Sequence, residues 1–229
     1  MKRFYKEVVW AEADGGFEVL LDGRQVKSPA KRPLILPSQR LAEQVAAEWA
    51  AIEEEIDPQL MPQFSLAVTV ADRVSPQRGE LLTEMVRYGL NDLICYRADT
   101  DDRLIARQAE QWDSWLQWAA EQHHIQLETT AGIMPLTQDS ANQERLMNAI
   151  APLDDWRLGA LVRATSLGGS LILGLAFVQK ALDASTLFSL SFLDELYQGE
   201  LWGQDEEAVS RQAHIKDEFQ AAETFLALL

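Results

Sequence analysis

The chain has 229 residues, 47% of them hydrophobic, a formal net charge of -16 and one cysteine. That length allows one large domain or two small ones around a proper core, and a lone cysteine excludes an internal disulfide and any multi-cysteine metal site. The charge is lopsided: residues 1–40 hold eight Lys/Arg against five Asp/Glu, which leaves twelve against thirty-one for the rest, an anionic part that repels nucleic acid and favours a basic protein surface as partner.

The β-prone run over 4–13, the turn residues Asp14-Gly15-Gly16 and the alternation over 17–21 predict a hairpin. Asp22-Gly23 offers a second tight turn into 25–28, and the prolines of 33–37 confine that short run to an edge. Ser38 then stands as an N-cap before Leu41, Val45, Trp49, Ile52 and Ile56, whose spacing is helical, and Asp57-Pro58 ends the helix. Residues 62–74 predict a short or irregular helix, and 79–97 a helix that Gly89 and Asn91 can break.

A helix capped by Asp101 or Asp102 is expected to run to about His123, followed by a loop over 127–136 and helices over 139–150 and 154–167. Residues 170–182 are apolar nearly all round, so that segment should be central. The longest apolar run, residues 167–178, falls short of the roughly 20 residues that a bilayer span needs. Asp183 caps an expected helix over 184–198, residues 199–203 are expected to interrupt it, and 205–228 finish the chain as a helix with Ile215, Phe219, Ala222, Phe225 and Leu226 on one side. The fold class is α+β: a small antiparallel β-domain over 1–37, then a larger all-helical domain over 38–229, with the first helices free to pack on the β-domain.

Residues that carry chemistry are sparse. His123 and His124 are adjacent, so on a helix their side chains diverge by about 100° and do not share one ion easily; His214 stands alone. Cys95 sits in an apolar run, expected to be helical, with nothing nearby to lower its pKa. The glycines match neither nucleotide-binding loop, and Gly169-Ser170 lacks the frame of a nucleophile elbow, so no cofactor, metal or catalytic residue is expected. An enzyme using Asp194, Glu195 or Glu200 in an acidic cleft is the alternative reading.

Of the seven tryptophans, Trp49, Trp112 and Trp115 are expected in the core. Trp202 differs, because it lies in a glycine-flanked stretch, residues 197–207, that ends in acids. Two readings stand side by side. Either the ring fills a pocket on a partner while Glu200, Asp205 and Glu206 select basic groups, or Trp202 plugs a seam between helices and the acids merely complement the positive start of the last helix.

The stretches RFYKEV (3–8), LDGRQVKSPAKRPLILPS (21–38), LAEQVAAEW (41–49), IDPQLMP (56–62), ADRV (71–74), DLICYRA (92–98), QWDSWLQW (111–118) and ELWGQDEEA (200–208) together resemble the ATP12 family of assembly chaperones for the F1 sector of ATP synthase. The second and the last are the specific signatures. Ala67 to Val70 departs from the asparagine-threonine pair of the family, so no role is carried onto Val68 or Thr69. The resemblance implies the same α+β fold, no catalysis, and binding of the unassembled F1 α subunit so that it does not aggregate before the α/β ring closes; a general holdase is the other chaperone reading. It also makes Glu200, Trp202, Asp205 and Glu206 the expected partner-binding residues.

The amino terminus carries charges where a secretory signal needs an apolar centre and is too acidic for a typical mitochondrial presequence. The expectation is a bacterial protein of the cytoplasm, with eukaryotic relatives in the mitochondrial matrix. Arg24, Lys27, Lys31 and Arg32 are expected either to dock internally or to reach the client.

Overall fold

The computed structural model describes residues 2–132 and 134–229. The α+β architecture expected from sequence is what it shows: a three-stranded antiparallel sheet followed by helices. β1 (Val8–Ala13) and β2 (Gly16–Leu21) form the hairpin, in the register Val8 with Leu21 through Ala13 with Gly16. The short β3 (Arg24–Gln25) returns on β2. Asp22 and Gly23, with φ of 48° and 75°, are the two left-handed residues that a tight hairpin turn of this twist requires. The Asp22 carboxylate also accepts from the backbone N–H groups of Lys6 and Glu7, which holds its pKa below the usual carboxylate range and orders the chain ahead of β1.

Residues 33–37 add no regular strand. Phe17 and Leu36 exchange two backbone hydrogen bonds of 2.9 and 2.7 Å, and the carbonyl of Leu36 lies where a Cβ on residue 16 would fall, so only glycine fits there.

The chain groups into two compact units, one of residues 1–78, 155–160 and 221–229 and the other of 79–154 and 161–220. Residue 37 marks where strands give way to helix; by compactness, the first helices belong with the sheet. In the first unit, α1 (Gln39–Ala51) is capped by the Ser38 hydroxyl, which accepts from Leu41 N–H and donates to the carbonyl of Leu228. Leu41, Val45, Trp49 and Ile52 are buried, and α1 lies against β1 and β2, whose inner side carries the buried Val19 and Leu21.

α2 (Pro62–Thr69) starts with proline at its first position and has no cap from its own neighbour Met61. The cap comes from Glu48 on α1, whose two carboxylate oxygens accept from Gln63 N–H and Phe64 N–H, each at 2.8 Å. The expected irregularity of this segment is a wide π-type turn over Val70–Val74.

The second unit contains α3 (Arg78–Leu90) from Gly79 onward, α4 (Asp102–His123) and α5 (Ala141–Ile150). It continues with α6 (Asp155–Gly168) from Leu161 onward, α7 (Leu171–Val178), α8 (Ala184–Ser191), α9 (Leu193–Trp202) and α10 (Glu206–Leu228) as far as Gln220. All eight residues of α7 are buried, as its all-round apolar sequence requires. Each fully buried leucine or phenylalanine there contributes roughly 1.5–3 kcal/mol relative to exposure.

Several expectations change. The helix expected to run to Asp57-Pro58 stops at Ala51, with Ile52 in extended conformation as its C-cap. The helix over 79–97 stops at Leu90; Asp92 caps a single 3-10 turn, Leu93–Cys95, and Tyr96–Arg97 is β4. The loop over 127–136 contains β5 (Thr130–Ala131), paired in parallel with β4. One expected helix over 184–198 is two, α8 and α9, with a break at Phe192 and the rings of Phe188 and Phe192 stacked 4.9 Å apart. Trp112 is buried and donates from its indole to the carbonyl of Leu190 at 3.0 Å, but Trp115 is only partly covered and packs edge-on to Trp118. A step of three residues turns a helix by about 300°, so a tryptophan at every third position walks off the buried line.

Candidate contact surface

α9 is fixed on two sides within its unit. On the α4 side, Gln108 donates to Asp194, the Tyr197 hydroxyl donates to Asp101, and Arg107 donates to Glu200, each at 2.8 Å. The Arg107 guanidinium also lies 5.0 Å from the centre of the Tyr197 ring. On the α10 side, Glu195 accepts from Arg211 at 2.6 Å and from Gln212 at 2.7 Å.

Residues 199–203 do not interrupt the helix as expected, since α9 runs through Gly199 to Trp202. A Cβ on residue 199 would meet the Gln204 side-chain amide at 2.6 Å, so a larger residue there would displace that exposed side chain. Gly203, with φ of 80°, is the residue that ends the helix.

Beyond Gly203 the chain turns into α10. The Asp205 carboxylate accepts from Ala208 N–H at 2.7 Å, so Asp205 is the N-cap, and Glu206 and Glu207 occupy the positive first turn. This bears out the capping half of one reading. Its other half fails, because Trp202 plugs no seam: it is 81% exposed. Leu201 on one side of the turn and Val209 on the other are also exposed, at 48% and 50%. The sequence reading missed both. For Val209 the signal was present, since it lies off the apolar line of Ile215, Phe219 and Ala222.

The structure therefore brings Glu200, Trp202, Asp205 and Glu206 to one exposed corner, with three uncovered apolar side chains among acids. Glu200 and Glu195 do not have the character of a general acid. Arg107 holds Glu200 below the usual range, and Arg211 does the same for Glu195, whereas a general acid at neutral pH needs a raised value. Among the described residues no group of three or more His, Cys, Asp or Glu is placed to hold a metal ion. His124 adopts the left-handed conformation at the end of α4, and His123 Nε2 lies 3.2 Å from Gln179 Oε1. Among the described residues no helix is long and apolar enough to cross a membrane.

A family model described as ATP12 chaperone protein matches residues 2–120. The solved structure of Atp12 from Paracoccus denitrificans superposes with a TM-score of 0.93 at 40% identity, over 99% of this chain and 97% of that one. An aspartate-to-lysine mutant of the P. denitrificans protein gives the same score at 39% identity, with the same coverage. The mitochondrial protein atp12 of Schizosaccharomyces pombe is 26% identical over 219 residues, 90% of this chain and 75% of that protein. With a family model over more than half its length and a 40% identical relative matched nearly end to end, this chain belongs to the ATP12 chaperone family.

Proposed function

We propose that this protein is an assembly chaperone that binds the unassembled α subunit of the F1 sector of ATP synthase and keeps it from aggregating before the α/β ring closes. Its setting is the bacterial cytoplasm, in line with the likeness to the Paracoccus protein. The contact surface is the corner of Glu200, Trp202, Asp205 and Glu206, extended by Leu201 and Val209. The observation that carries this reading is the exposure of Trp202 at an acid-rimmed turn in a member of a chaperone family. A large aromatic ring left uncovered among charges is the composition of a hot spot awaiting a partner. An acidic rim selects basic groups on that partner and speeds encounter, while a modest apolar patch leaves dissociation fast enough for displacement by the true neighbour.

The test is capture. Tagged protein passed through a bacterial extract that contains F1 subunits is expected to retain the α subunit in a one-to-one complex. Retention of many unrelated unfolded chains with no preference for α would make it a general holdase instead.

A further inference from the structure

The acidic corner does not account for the stretch that identifies the family best, residues 21–38, whose centre is a short basic arm. Backbone pairing of Lys27 with Pro33 closes the arm, and Ser28 N–H donates to the carbonyl of Arg32 at 3.0 Å. Its base is fixed to the π-type turn. The Ser28 hydroxyl donates to one oxygen of Asp72 at 2.6 Å, Ala30 N–H to the other at 3.0 Å, and the Arg32 guanidinium to the carbonyl of Ala71 at 2.8 Å.

Arg24, Lys27 and Lys31 are exposed, and among the described residues no carboxylate holds any of them in an ion pair. In a chain of net charge -16 this leaves cations presented outward on a rigid mount. Lys31 has φ of 63°, a conformation that glycine takes freely and lysine takes only under constraint.

The arm's own hydrogen bonding narrows what it can bind. The N–H groups of Ser28, Ala30, Lys31 and Arg32 all donate inside the protein, to Arg32, Asp72 and Ser28, so no cluster of free backbone donors remains to cradle a small phosphate. What the arm offers is side-chain charge spread along a fixed edge, which fits carboxylates on a protein surface. An anionic bilayer fits less well, because the remainder of the chain is strongly anionic and a flat charged plane repels it as a whole.

Resting on the proposed function, we propose that Arg24, Lys27 and Lys31 form a second client contact that takes an acidic surface of the α subunit. The chaperone then presents two contacts of opposite sign, one in each compact unit. The two together select a partner carrying both a basic and an acidic patch, which a single charged patch does not.

The experiment is zero-length carbodiimide coupling of the full chain mixed with purified α subunit, followed by peptide mapping. The expected product joins Lys27 or Lys31 to an aspartate or glutamate of α. The double variant Lys27→Glu/Lys31→Glu is expected to bind α about tenfold or more weakly at low salt, with a smaller difference at high salt, and Lys27→Arg/Lys31→Arg to bind like the wild type. Coupling confined to other residues, with unchanged binding by the charge-reversed variant, would overturn the second contact and leave the proposed function standing. No binding of α by the wild type would overturn both. Arm-dependent sedimentation with phosphatidylglycerol vesicles, without coupling to α, would assign the arm to a membrane surface and overturn the proposal.

Discussion

Arg107 donates to Glu200 at 2.8 Å, so one acid of the candidate contact surface already has a cationic partner on α4. Glu200 is exposed and Arg107 half-buried, and a pair this open to solvent adds little to folding. Its importance is for the charge the corner presents. Arg107→Gln, which removes the ion pair and the contact over the Tyr197 ring, should lower the thermal midpoint by only a few degrees, let the Glu200 pKa rise toward the ordinary value by NMR titration, and strengthen α capture by unmasking the carboxylate. Weakened capture would mean that Arg107 itself faces the client.

Asp92 is fully buried between the end of α3 and the start of α7. Its carboxylate accepts from Ile94 N–H at 3.3 Å, from Ile172 N–H at 3.0 Å and from the Ser170 hydroxyl. Burial outweighs these donors and pushes its pKa up from 3.8 to about 6. Between those values the folded chain holds more protons than the unfolded one, so this group's contribution to stability falls as pH rises. The loss is about 3 kcal/mol in all, of which about 1 kcal/mol lies between pH 5 and 7. Denaturant melts of wild type and Asp92→Asn should show their stability difference shrinking by about that much from pH 5 to 7. Asp92→Ala, which orphans the buried donors, should cost about 3 kcal/mol or more at either pH.

Glu48 does for α2 what a local N-cap does elsewhere, and burial raises its pKa against the opposing pull of the two N–H donors. Glu48→Ala removes the acceptor for both Gln63 and Phe64 and is expected to cost about 2 kcal/mol in a urea melt. Glu48→Gln, which keeps one acceptor oxygen, should lose about half as much.

Cys95 is completely buried, and desolvation, helped by the nearby Asp92 charge, pushes its thiol up to about 12. Labelling by a disulfide reagent at neutral pH should therefore track global unfolding and be near zero in the native protein. Rapid labelling without denaturant would show local opening of the turn over Leu93–Cys95.

The legible parts of the sequence were those with a local cause. Asp22-Gly23 specifies its turn through backbone preference, Ser38 and the four-residue spacing specify α1, and the all-round apolar run specifies α7. The ladder of β4 with β5 was not legible, because two-residue strands have no periodicity and their partners lie more than thirty positions apart. Glu48 reads as one of the exposed acids of its helix, yet it is buried, and Asp92 reads as an ordinary acid, since the N–H groups they cap belong to segments that only the fold brings near. At the candidate surface the aromatic and the acids were readable as a composition. The exposure of Trp202 was not, because a tryptophan at a helix end fills a seam as readily as it faces water.

Capture of the purified α subunit by matched variants tests the central claim most directly. With far-UV circular dichroism and thermal midpoint held at the wild-type values, Trp202→Ala and Glu200→Lys are each expected to reduce recovery of α severalfold, and the double variant to abolish it. Recovery of α at the wild-type yield by both folded variants would contradict the assignment of this corner as the client surface.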